Sequence, residues 1–119
     1  MISIINGQDS SSSREYLLKK KNELGDFRIF EGEKITLTDL LEFFYGTNFL
    51  DDGNNIVIEN LLSKKRSDKE IEEVALLLKK NEKSNIVVWE EKEISSKYLK
   101  LFPEAVVKTF NYPKILFSF

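Results

Sequence analysis

The chain contains no cysteine and no histidine. The first absence excludes disulfides, thiolate metal sites and a thiol nucleophile. It fits a reducing compartment, so a cytoplasmic location is expected. The second removes the commonest general base, the commonest metal ligand and every Ser-His or Cys-His arrangement. Excess charge is lacking as well. Eighteen basic and 20 acidic residues are interspersed for a net charge of −2, so no whole-molecule field draws nucleic acid or a membrane surface. No apolar run approaches the ~20 residues that a membrane helix needs. The opening MISIING has neither the basic leader nor the small-residue cleavage site of a signal peptide.

What is there is a soluble globular composition. With 41% hydrophobic residues in 119, the chain is too aliphatic for disorder and reads as one domain over 1–119. It is long enough to bury roughly two-thirds of the surface its unfolded form exposes. The last stretch, NYPKILFSF, ends apolar where chains usually end polar and frayed. It reads as a cut within something longer.

Five short apolar runs alternate with four helical patterns. Residues 2–5, 27–30, 56–58, 86–89 and 106–110 are rich in β-branched or aromatic side chains, as strands are. Ser12 and Glu15 form a capping-box pair for a helix running to Leu24, with Gly25 as its stop. Asp9-Ser10 suits an Asx-type turn or cap beneath that helix. Leu37, Leu40, Leu41 and Phe44 recur at helical spacing behind Thr36, with Gly46 as stop. Ser67 and Glu70 open a third helix whose apolar face is Ile71, Val74, Ala75 and Leu78. A shorter helix over 95–101 ends before Pro103. Such alternation predicts a three-layer α/β domain with a mostly parallel, five-stranded sheet and right-handed crossovers. IVI and IVVW are apolar on both faces and belong at the centre, with Trp89 in or near the core. FRIF and VVKTF carry polar positions and belong at the edges.

A strand ending on glycine, then INGQDSSSSREYL, has the layout of a phosphate-binding loop. In the pattern G-x-x-x-x-G-K-[ST], the second glycine lets backbone N–H groups curl round phosphates, the lysine neutralises them and the hydroxyl holds magnesium. With Gly7 as the first glycine, those three places hold Ser12, Ser13 and Arg14. The third strand ends in Glu59-Asn60, where an aspartate for magnesium belongs. The fourth ends in Glu90-Glu91, two carboxylates that would repel a γ-phosphate. The scaffold is that of a P-loop domain with a degenerate nucleotide site, so no cofactor and no catalysis are expected.

Gly7-Gln8-Asp9-Ser10 with Arg14-Glu15 resembles the G-[EQ]-D-S-x-x-x-R-E stretch that opens the delta subunit of bacterial DNA polymerase III. Phe49-Leu50, followed by Ile56-Val57-Ile58-Glu59-Asn60-Leu61-Leu62, is similar to that family's L/F pair before a V-V-V-E-N-L strand. The similarity runs from Met1 to the terminus and would cover about the first third of a full-length member. It implies an AAA+-type P-loop fold without an ATP site. It also implies a non-catalytic role in the clamp loader, gripping and opening the sliding clamp (the beta subunit) during DNA replication. The partners implied are that clamp, the other clamp-loader subunits and DNA through the whole complex, with no membrane. The helical second domain and the C-terminal collar domain are absent from this chain.

By the resemblance, Phe49 and Leu50 are the clamp-binding pair, here in the order F-L. The residues agree: an apolar pair in GTNFLDDGNN is not needed by a surface turn, and such anchors dominate binding energy. The alternative is that both end the core beneath the sheet. Asp51-Asp52 precedes Gly53-Asn54-Asn55 and reads as turn composition rather than a metal pair. Arg14 suits an exposed or intramolecular pair. Lys64-Lys65-Arg66 and Lys19-Lys20-Lys21 read as solvated runs, without interleaved aromatics for a nucleic-acid platform. The rival class is a divergent P-loop nucleotide-binding or ATPase domain, or a receiver-like phosphoacceptor. The receiver's acidic and lysine places are held by Asn6-Gly7, Glu59-Asn60 and Tyr112-Pro113-Lys114.

Overall fold

The computed structural model describes residues 1–46, 55–62, 66–81 and 83–113. Strands and helices alternate along it: β1 (Ile2–Asn6), α1 (Ser10–Leu24), β2 (Arg28–Glu31), α2 (Leu37–Tyr45) and β3 (Ile56–Glu59). Then come α3 (Asp68–Lys80), β4 (Ile86–Trp89), α4 (Ser96–Leu99) and β5 (Val106–Thr109). The five strands form one sheet in the order β2-β3-β4-β1-β5, and every pairing is parallel. β1 and β4 are buried along their whole length, and Ile56, Val57 and Ile58 of β3 are buried too. β5 is exposed throughout and β2 nearly so. Sequence patterning thus placed centre and edges correctly.

Strand order decides which helix lies on which face. From β2 to β3 to β4 to β5 the chain steps across the sheet in one direction, β4 to β5 passing over β1. From β1 to β2 it travels the other way. Right-handed crossovers therefore put α1 on one face and α2, α3 and α4 on the other. The core divides accordingly. Ile4, Ile58 and Val88 pack with Leu40 and Phe44 of α2 and with Ile71, Val74 and Leu78 of α3. Ile5, Val57, Val87 and Trp89 pack with Leu17 of α1. A sheet covered on both faces is why these strands read as continuous apolar runs.

The helix starts follow local chemistry. Thr36 and Asp39 form a reciprocal capping box at α2, and the Ser67 hydroxyl accepts from the Glu70 N–H at α3. At α1 one of two expectations holds: Asp9 caps the helix, as its place beneath it predicts, and the Ser12–Glu15 capping box does not form the start. The Asp9 carboxylate accepts the Ser12 N–H at 3.1 Å and the Ser12 hydroxyl at 2.7 Å. The helix therefore begins at Ser10, and Ser12 lies within it rather than capping it. A charged acceptor at a helix N-terminus outcompetes a hydroxyl further along.

Candidate functional site

In open α/β sheets, ligands bind beyond the carboxyl ends of the strands where successive crossovers leave in opposite directions. Here that point lies between β1 and β4, at Asn6-Gly7 and Trp89-Glu90. Polar side chains do converge there, but they bind the protein itself.

Gly7 has φ +139° and passes so close to Phe110 that a Cβ would lie 2.1 Å from its carbonyl oxygen. Of the following amides, which in a phosphate loop point at the ligand, those of Gln8, Asp9, Ser12 and Ser13 are occupied. The Gln8 N–H donates to Asn111 Oδ1 at 3.0 Å. The Asp9 N–H donates to the Phe110 carbonyl at 2.8 Å and the Ser13 N–H to the Asp9 carbonyl. The Ser12 N–H is taken by the Asp9 carboxylate. The anion at the start of α1 is the chain's own. The Ser12 hydroxyl and backbone N–H hold the Asp9 carboxyl below the usual carboxylate range.

Ser13, in the lysine's place, is fully buried. Its hydroxyl accepts the Trp89 indole N–H at 3.0 Å and donates to the Ser10 carbonyl. Trp89 is buried as expected, and the Arg14 guanidinium covers its ring at 4.4 Å. Arg14 is intramolecular, as sequence reasoning allowed, but its partner is an aromatic face rather than a carboxylate.

The magnesium place is also engaged. Lys21 reaches from α1 to Glu59 at 3.2 Å, with both side chains largely buried. Asn60 adopts φ +61°, and its side-chain oxygen accepts the Glu91 N–H. Glu90 is fully buried, and one carboxylate oxygen accepts the N–H groups of both Leu61 and Leu62, at 2.9 and 3.0 Å. The sequence pattern alone predicts a repulsive charge facing a phosphate. In the fold it bonds the loop after β3. Asn6 is buried too; its amide accepts the Ile94 N–H and donates to Thr109.

Of the basic runs, Arg66 is not a solvated charge. It bonds the carbonyls of Gly32 and Ile35 and pairs with Glu70. Lys20 pairs with Glu23. The expected anchor, Phe49 and Leu50, lies outside the described residues, as do Asp51, Asp52, Lys64, Lys65 and Lys114. Among the described residues, no three Asp, Glu, His or Cys side chains are grouped to hold a metal ion. No described helix is long and apolar enough to cross a membrane. A cavity of about 280 Å³ lies at the opposite end of the sheet, bounded by Met1, Ile2, Lys79 and residues 102–105.

The receiver reading meets a topological obstacle. Such flavodoxin-like domains order their strands 2-1-3-4-5, with β1 between β2 and β3, whereas here β1 lies between β4 and β5. No protein-family model matches the chain, and no curated protein matches it.

Proposed function

We propose that the chain is a non-catalytic protein-binding module, the N-terminal domain of a clamp-loader delta subunit, in which Phe49 and Leu50 anchor the sliding clamp. The observation that carries the non-catalytic half is the self-closure of the loop after β1. The amides of Gln8, Asp9, Ser12 and Ser13 are bonded within the chain, a carboxylate stands at the start of α1, and the lysine's place is a serine buried under Trp89. This disfavours the ATPase alternative, since phosphate catalysis rests on positioned amides, a lysine and a metal. The strand order, with β4 inserted between β1 and β3, is compatible with the AAA+-type sheet that the resemblance implies.

The binding half rests on the sequence resemblance around residues 49–62. The mechanism is mechanical. An aromatic and an aliphatic side chain fill a pocket on the clamp, and the domain opens the ring only to the extent that it binds the open form better than the closed one. ATP is hydrolysed by other subunits.

The test is calorimetric titration of the chain into the sliding clamp of its own organism, beside a Phe49→Ala/Leu50→Ala variant checked for folding by circular dichroism. The expected result is binding that the variant weakens roughly thirtyfold or more, as loss of a hot spot does. Binding unchanged in a folded variant moves the anchor elsewhere. No binding by the folded parent removes the clamp role.

A further inference from the structure

At the amino end of the sheet, away from the closed loop, the fold leaves space unfilled. The cavity of about 280 Å³ lies where the start of β1, the last turn of α3 and the turn into β5 meet. Its lining is mostly apolar: Ile2 and Phe102 are buried, Ala105 is half-buried and Met1 is exposed. Two charged side chains, Lys79 and Glu104, share the lining. Neither makes a hydrogen bond or an ion pair among the described residues. Their settings differ. Glu104 is exposed, so water serves its carboxylate, whereas Lys79 is half-buried. A lysine in the last turn of a helix complements the helix dipole, but the exposed Lys80 beside it does that from solvent. Lys79 is left as a cation without a partner in the wall of an apolar hollow.

We infer that this cavity binds a small organic carboxylate whose apolar body is about the size of one ring. Ligand sites are mostly apolar hollows of roughly 300–1,000 Å³ with a few placed polar groups. This one lies at the lower limit, which suits a single ring and is too small to enclose a nucleotide. The ring rests against Ile2, Phe102 and Ala105, and Met1, unbranched and polarizable, adapts to its outline. The carboxylate gives Lys79 the charged acceptor it lacks, and charge-assisted bonds are roughly twice as strong as neutral ones. A ligand amine would meet that same cation, with only the solvated Glu104 to attract it, which is why an acid is the better match. The inference stands apart from the clamp reading, and either can fail alone.

Titration of the whole chain with phenylacetate, followed by backbone amide chemical shifts, tests it. The shifts should saturate with a dissociation constant at or below about 3 mM. They should centre on residues 1–2, 79 and 102–105. Phenylacetamide, the same shape without the charge, should bind roughly fivefold or more weakly than the acid, and phenethylamine no better than the amide. Lys79→Met keeps an apolar stem and removes the cation. It should erase the preference for the acid and leave the affinity for the amide unchanged. Ala105→Leu fills the hollow and should weaken both ligands. Lys79 lies at the end of α3 and is only half-buried, so its variant remains informative if Ala105→Leu does not fold. The inference is overturned by shifts that stay linear up to about 20 mM phenylacetate, or by shifts centred elsewhere. Equal affinities for acid and amide, or a Lys79→Met variant with the parent's preference, overturn it as well.

Discussion

A side chain at position 7 would put its Cβ 2.1 Å from the Phe110 carbonyl oxygen, on a backbone already at φ +139°. Strain of that kind costs about 1–3 kcal/mol, and the contact forces β5 and the start of α1 apart in addition. Gly7→Ala is therefore expected to lose about 2 kcal/mol or more in chemical denaturation, and a loss below about 0.5 kcal/mol would show that the close approach has no weight. Asp9 next door gives a pH dependence. Its carboxyl titrates lower in the folded chain than the usual value because Ser12 donates to the charged form. A depressed folded pKa means that its stabilisation is full above the unfolded value of about 3.9 and is lost as pH falls through the folded one. Thermal melts from about pH 5 to about pH 3 should fall more steeply for the parent than for Asp9→Asn, whose amide does not titrate there. Parallel curves would remove Asp9 from the acid response.

At the scale of elements, what stayed hidden in the sequence is what depends on a distant partner. Apolar periodicity fixed every strand and helix to within a few residues, because burial of one face is written locally. The start of α1 is a local matter by contrast: Asp9, legible as a cap, takes the role also offered by Ser12 three residues on. Arg14 and Glu90 have ordinary surface-residue identities, and only the fold puts an indole under one and two backbone amides before the other. Of the candidate site, the missing lysine and second glycine were legible, whereas the closing of the loop by Phe110 and Asn111 was not. Glu90 tests the point. Removing its carboxylate leaves the buried Leu61 and Leu62 amides without that acceptor, each at about 1–3 kcal/mol. Glu90→Ala should therefore destabilise by about 2–5 kcal/mol, and Glu90→Gln, which keeps an acceptor oxygen, by clearly less. Equal losses in the two variants would mean that packing, not hydrogen bonding, holds the loop after β3 to β4.

For the whole molecule, the closed loop and the strand order are one arrangement. Because β5 lies outside β1, its continuation at Phe110 and Asn111 reaches back over the end of β1 and satisfies the amides of Gln8 and Asp9. Under the proposed P-loop reading, the lack of a nucleotide site is then a matter of how β1, α1 and β5 meet as well as of two absent residues. Supplying those residues should consequently fail to create nucleotide binding. A Ser12→Gly/Ser13→Lys variant regains the phosphate-loop pattern in sequence. Position 13, however, is fully buried beneath Trp89, so the lysine must either bury an unpaired charge or displace the indole. The expected outcome is a lower melting temperature than the parent's and no further shift on adding Mg-ATP to either protein. A ligand at a hundred times its dissociation constant adds about 2.7 kcal/mol of stability, which a thermal melt reads easily. A rise of that size in the variant alone would mean that only side chains were missing and that the loop opens readily. A rise in the parent would overturn the non-catalytic reading, because the amides now bonded to Asn111, Phe110 and Asp9 would then be available to a nucleotide after all.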